Sequence, residues 1–176
     1  MTRLPEEKIL PREEIARRLS LQRPGTVVLA NGLFDILHVG HARYLAAARA
    51  AGDLLIVALN ADESARALKG PSRPIVPLAD RMHLVAALRA VDLVTWFPET
   101  TLAPTLRLLR PDLHAKGTDY RPETLPPDEQ AAHRDLGIRV ITVGDPKTHA
   151  TTDIVREVRR RLGGTAGPGV PGEETR

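Results

Sequence analysis

Short apolar runs rich in β-branched residues alternate along this chain with stretches of helix-forming residues, and that alternation restricts the fold more than any other feature. The strand-like runs are 26–31, 54–60, 93–97, 112–115 and 138–143. Helical patterns cover 39–51, 77–90, 100–110, 127–136 and 151–162, with a further helix near 12–22. Strand and helix in strict turn predict an α/β fold, a doubly wound, Rossmann-like parallel sheet of five strands with helices on both faces. The same pattern divides the chain into an N-terminal helical extension (1–23), one domain (24–162) and a Gly/Pro-rich tail (163–176) that has nothing to bury and is expected to be disordered. Ligands of such sheets collect at the carboxyl ends of the strands, beside the point where strand order reverses. Asn31, Asn60, Lys116 and Gly144 all fall just past the expected strand ends.

The first strand-to-helix turn holds the densest chemistry. Asn31-Gly32-Leu33-Phe34-Asp35 leaves the strand, and His38-Val39-Gly40-His41 opens the helix, ahead of Tyr44-Leu45-Ala46-Ala47-Ala48. Free N–H groups and the positive end of the helix dipole face whatever lies in such a turn, and Gly40 permits close approach to the backbone. His38 and His41, three apart, can face one anion. A zinc site would need further ligands, which neither Cys nor an H-E-x-x-H pattern supplies.

Composition narrows the partners. At 176 residues and 42% hydrophobic, the chain is long enough for one domain with a core and too short for two ordinary ones. The absence of cysteine removes disulfides, thiolate metal sites and thiol nucleophiles. No apolar run reaches membrane-spanning length and the first residues lack the apolar centre of a signal peptide, so a soluble cytoplasmic protein without a membrane partner is expected. A formal charge of +3 favours anionic ligands. With two Phe, two Tyr and one Trp, the interleaved aromatic and basic surface of a single-strand binder is missing, and no nucleic-acid partner is expected.

The string Gly32-x-Phe34-Asp35-x-x-His38-x-Gly40-His41 resembles the signature of the H-x-G-H nucleotidyltransferases, the cytidylyltransferase-like family. Further segments resemble that family in the right order: Asn60-Ala61-Asp62-Glu63, Leu68-Lys69-Gly70, Arg73-Pro74, Asp80-Arg81-Met82, Arg89-Ala90-Val91-Asp92, Lys116-Gly117-Thr118-Asp119-Tyr120 and Thr151-Thr152-Asp153-Ile154. The resemblance covers 24–162 and implies transfer of a nucleoside monophosphate from a triphosphate to a phosphorylated small molecule. It assigns catalysis to His38, His41 and Lys69, the last in a flexible loop; nucleotide contacts to Asn31, Gly32, Leu33, Phe34, Gly40, Arg81, Thr151 and Thr152; and acceptor contacts to Asp35, Lys116, Gly117, Asp119 and Tyr120. Magnesium is expected to arrive with ATP, bridging phosphate oxygens with few protein ligands, and no tightly bound organic cofactor is expected.

Leu33 and the Lys-Gly-x-Asp-Tyr string look most like the branch that joins ATP to D-glycero-β-D-manno-heptose 1-phosphate, giving ADP-heptose, a lipopolysaccharide precursor. Cytidylyltransferases for glycerol phosphate more usually carry Thr at the Leu33 position. The alternatives are a cytidylyltransferase or guanylyltransferase for another phosphorylated sugar or polyol, or a non-catalytic nucleotide-binding regulator. A homodimer is expected, as is a separate sugar kinase acting upstream. The chain departs from the family at Thr148-His149-Ala150, where a Gly-x-Ser string is typical; Lys147 or His149 is the candidate to compensate. Each local feature also has a simpler reading. Asp35 either caps the turn or orients substrate or metal, Lys69 by itself is a solvated lysine, Lys116 to Tyr120 read as a turn, and Thr151-Thr152 read as a helix cap.

Overall fold

Val27–Gly32 (β1), Leu54–Asn60 (β2), Leu93–Phe97 (β3), Leu113–Lys116 (β4) and Arg139–Thr142 (β5) form one wholly parallel sheet in the order β3-β2-β1-β4-β5. The structure is a computed structural model that describes residues 4–121, 124–145 and 151–163. The tail beyond Gly163 and the segment with Lys147 and Thr148-His149-Ala150 lie outside the described residues, as does the side chain of Thr152.

Alternate residues of each strand feed two cores, which is why the strands read as continuous apolar runs. Val27 and Leu29 pack with Ile15 and Leu19 of α2 (Arg12–Leu21), Leu106 of α6 (Ala103–Leu109) and Ala132 of α7 (Pro127–Leu136). Val28 and Ala30 face the other way, onto Leu45 and Ala48 of α3 (Val39–Ala50) and Val85 and Ala86 of α5 (Leu78–Ala86). The N-terminal segment covers the outer edge of β3. Ile9 forms a parallel bridge with Val94, and the Leu10 amide donates to the Val94 carbonyl at 2.9 Å, so that edge is not left open to another chain.

Two short helices escape the sequence reading, α1 (Pro5–Lys8) and α4 (Asp62–Lys69). The second moves Lys69 out of the expected loop and onto the last turn of a helix. No side-chain cap marks its start at Ala61, so the usual sequence signal is absent. Helices α5 and α6 are shorter than the expected 77–90 and 100–110, whereas β2, β3 and α7 coincide with their expected spans. Because β1 leads to β2 on one side and lies against β4 on the other, strand order reverses between β1 and β4. A crevice opens at their carboxyl ends.

Candidate active site

A cavity of about 650 Å³ occupies that crevice. Its floor is the end of β1 and the following turn, from Asn31 to Asp35; one wall is the start of α3, with His38, Gly40, His41 and Tyr44. Lys116, Gly117, Asp119 and Tyr120 enter from the end of β4, Lys69 from the end of α4, and Thr151 from the start of α8 (Thr151–Arg161). Every residue given a catalytic, nucleotide or acceptor role from the sequence therefore lines one cavity, apart from Arg81 and the undescribed Thr152 side chain. Asn60, at the end of β2, also stays out of it.

The imidazoles are held by α3. His38 is its N-cap, its Nδ1 accepting the Gly40 amide at 3.1 Å, so the neutral ring carries its proton on Nε2. His41 stacks on it with ring centroids 3.9 Å apart, and Phe34 meets His41 edge-on at 5.2 Å. Phe34 takes a left-handed φ of 50°, and its ring lies against Gly32, where a Cβ would come within 3.1 Å. A glycine there leaves the room that this ring fills. Tyr44 donates its hydroxyl hydrogen to the Ala115 carbonyl at 2.7 Å, tying α3 to β4; burial, then Asp119, raises its pKa well above the ordinary phenol value.

Two of the residues expected at the ligands are engaged by the protein itself. Asp35 is 3% exposed and accepts from Arg73 Nη1 at 2.7 Å and from the Ile75 and Val76 amides at 2.8 Å. Its oxygens bind the loop after α4 to the turn that follows β1, at the floor of the cavity. Arg81, expected to reach the triphosphate, is fully buried. Its guanidinium donates to the carbonyls of Val76 (2.9 Å), Leu33 (2.6 Å) and Asn60 (3.0 Å) and to the Asp62 carboxylate (2.6 Å). A planar group with five donors suits such a four-way junction.

Arg43, Tyr44 and Asp145 also line this cavity although sequence reasoning assigned them no role there, and Arg73, noted only within the Arg73-Pro74 segment, joins them. Tyr44 was visible as the residue three after His41 and four after Gly40, on one helix face. The pairing of Arg73 with Asp35 left no such signal, because the two lie 38 residues apart. Arg43 pairs with Asp145 at 3.3 Å and Arg73 with Asp35, while Lys69, Lys116 and the two imidazoles line the same cavity. Lys116 donates to Asn31 Oδ1 at 3.0 Å and lies 3.9 Å from the Glu129 carboxylate. Burial lowers its pKa, an effect that Glu129 opposes.

Among the described residues no group of three or more His, Asp or Glu side chains forms a cage for a metal ion, and the oxygens of Asp35 are already engaged. The described residues do not fit a resident metal. Among the described residues no helix is long and apolar enough to cross a membrane.

A switch-point cavity beneath a helix N-terminus that carries paired imidazoles defines a nucleotide-handling α/β protein, and the Cytidylyltransferase-like family model matches residues 29–160. The chain belongs to that family. Among its relatives, the bifunctional protein HldE of Syntrophotalea carbinolica is 41% identical over 158 residues, 89% of this chain and 32% of that protein. The bifunctional protein HldE of Sodalis glossinidius is 45% identical over 142 residues, 81% of this chain and 29% of that protein. The chain thus spans about a third of the length of the curated relatives it matches. The crystal structure of the lipopolysaccharide core biosynthesis protein from Thermoplasma volcanium superposes with a TM-score of 0.60 at 29% identity, covering 70% of this chain and 99% of that one. Pantothenate synthetase from Thermus thermophilus shares the fold, with a TM-score of 0.59 at 17% identity over 88% of this chain and 70% of that one.

Proposed function

We propose that this protein is a nucleotidyltransferase that moves AMP from ATP to a sugar phosphate, D-glycero-β-D-manno-heptose 1-phosphate, releasing pyrophosphate and ADP-heptose. One observation carries the reading: the stacked His38 and His41, Lys69 and Lys116 converge on a single cavity from two helices and the sheet. The similarity to bifunctional HldE proteins and to a lipopolysaccharide core biosynthesis protein supports the sugar acceptor. A sugar phosphate is already an anionic nucleophile near neutral pH and needs no strong base. Its phosphate oxygen bonds to the α-phosphorus as the bond from that phosphorus to the β-bridging oxygen breaks, and the electron pair leaves on pyrophosphate. The protein supplies position and positive charge.

His38 presents its Nε2 hydrogen, and His41 stacks beside it, where charge grows on the non-bridging oxygens. Lys69, exposed at the cavity rim, meets the departing phosphates, with Thr151 and Thr152 at the start of α8. Lys116 receives the acceptor phosphate, beside Gly117, Asp119 and Tyr120. Magnesium enters with the nucleotide. We further propose a cytoplasmic homodimer, with a sugar kinase acting upstream to supply the 1-phosphate.

The test is pyrophosphate release with each nucleoside triphosphate crossed against sugar and polyol phosphates, at fixed magnesium and salt. ATP with the heptose 1-phosphate is expected to exceed CTP with glycerol 3-phosphate by more than about tenfold in kcat/KM, since a short polyol leaves buried partners unpaired at about 1 to 3 kcal/mol each. A preference for CTP and the polyol phosphate overturns the acceptor assignment.

A further inference from the structure

Behind the cavity, a line of buried polar groups runs from α7 through the sheet to Lys116. His133 Nε2 lies 2.9 Å from His114 Nδ1, and His114 Nε2 lies 3.0 Å from Asn31 Oδ1, the oxygen that also accepts from Lys116 Nζ at 3.0 Å. The donor directions follow from the chemistry. An ammonium only donates, so the Asn31 atom facing it is the carbonyl oxygen. His114 must then donate from Nε2, which leaves its Nδ1 to accept from His133. Also on α7, one turn before His133, Glu129 accepts the Leu102 amide at 2.8 Å through Oε1 and turns Oε2 toward Lys116 Nζ at 3.9 Å.

His114 is fully buried and His133 nearly so. Burial first, then Lys116, depresses both imidazole pKa values, which keeps the two rings neutral with this single donor direction. Neither ring lines the cavity. An apolar pair would fill the same space, yet here every ring nitrogen facing along the line has a partner that ends at the lysine.

We propose that His133 and His114 are positioning residues for the acceptor phosphate: through Asn31 they fix the Lys116 ammonium at the cavity wall, in the one orientation that meets the phosphate of the incoming sugar. The inference rests on the nucleotidyltransferase reading for the identity of that phosphate, and on the hydrogen-bond chain for its geometry. Asn31 accepts two hydrogens at one oxygen, so loss of the His114 donor frees it to turn and carry the lysine with it.

Three measurements decide it. In nitrogen-15 spectra of the imidazoles at pH 7.5, His114 is expected to carry hydrogen on Nε2 and none on Nδ1; the reverse tautomer overturns the chain. His114→Gln keeps a donor toward Asn31 and His114→Leu does not. His114→Leu is expected to raise the KM for the sugar phosphate about tenfold, the loss of one hydrogen bond to a charged site, while the KM for ATP stays within about twofold. His114→Gln is expected to recover most of that loss. Equal rises for both substrates, or a Gln variant no better than Leu, overturn the positioning role. Titration with inorganic phosphate reads the same lysine without turnover: His114→Leu is expected to bind it about tenfold more weakly, and unchanged phosphate affinity overturns the proposal. A wild-type protein that binds phosphate in this way but releases pyrophosphate from no substrate pair refutes the nucleotidyltransferase reading alone.

Discussion

His38 and Arg81 show how differently two hydrogen-bond-donating side chains in one motif series can serve a site. His38 caps α3 through Nδ1, so its remaining hydrogen is aimed by the helix that it starts. Replacing His38 or His41 by Ala is expected to lower turnover by about a hundredfold or more while ATP binding weakens less, because each stabilises charge that is greatest in the transition state. Near-normal turnover in both variants removes them from the chemistry. Arg81 has no solvent exposure, and its four acceptors belong to the protein. Arg81→Met leaves the Asp62 carboxylate and three carbonyls without that donor, a loss expected to cost about 3 to 5 kcal/mol in denaturant unfolding. A triphosphate ligand would instead leave stability intact and raise the KM for ATP. Sequence displays the charge of Arg81 and nothing of its depth, which depends on β1, β2 and α4 closing round it.

Strands and helices with long apolar periodicity were legible because burial on one or both faces writes itself into residue type. Helix α4 was not. It has eight residues, no side-chain cap, and polar residues on most of its surface, so only its end at Gly70 left a mark. That end matters for function. Gly70 takes φ 90° and ψ 168°, a region nearly closed to other residues, and turns the chain away just after Lys69 reaches the cavity rim. No atom stands within 4 Å of a Cβ built there, so Gly70→Ala tests backbone conformation alone. It is expected to lose about 1 to 3 kcal/mol of stability and to lower turnover as the end of α4 shifts. Lys69→Ala is expected to leave the unfolding midpoint unchanged and still cut turnover. A Lys69→Ala variant that unfolds early but keeps its specific activity makes the lysine structural. The clamp from Asp35 to Arg73 and the Ile75 and Val76 amides holds the far end of the same loop, and chain separation hid it from a motif search.

For the whole molecule, alternation of elements was enough to place the site, because a doubly wound sheet has one crevice where strand order reverses and the motifs gather there. The side of the sheet was not legible. Asn60 and Asn31 look equivalent as residues at strand ends, and only the order β3-β2-β1-β4-β5 puts Asn31 beside Lys116 and leaves Asn60 to Arg81. The same topology buries His114 and His133 between β1, β4 and α7, with Lys116 and Glu129 as the charged neighbours, and so couples stability to pH. Burial, then the lysine charge, lowers both imidazole pKa values below 6.5 in the folded protein. The unfolded chain binds protons near pH 6.5 while the native one does not. Stability is therefore complete above about pH 7 and declines as pH falls below about 6.5, with a slope of at most about 1.4 kcal/mol per pH unit for each imidazole. Urea unfolding at pH 7.5, 6 and 5 is expected to show this decline in the wild type and a shallower one in His114→Gln, the difference between the two proteins isolating one ring. Parallel profiles would mean that His114 takes up its proton as readily in the fold as outside it, and a doubly protonated ring donates from Nδ1 as well as Nε2, which reverses the bond to His133.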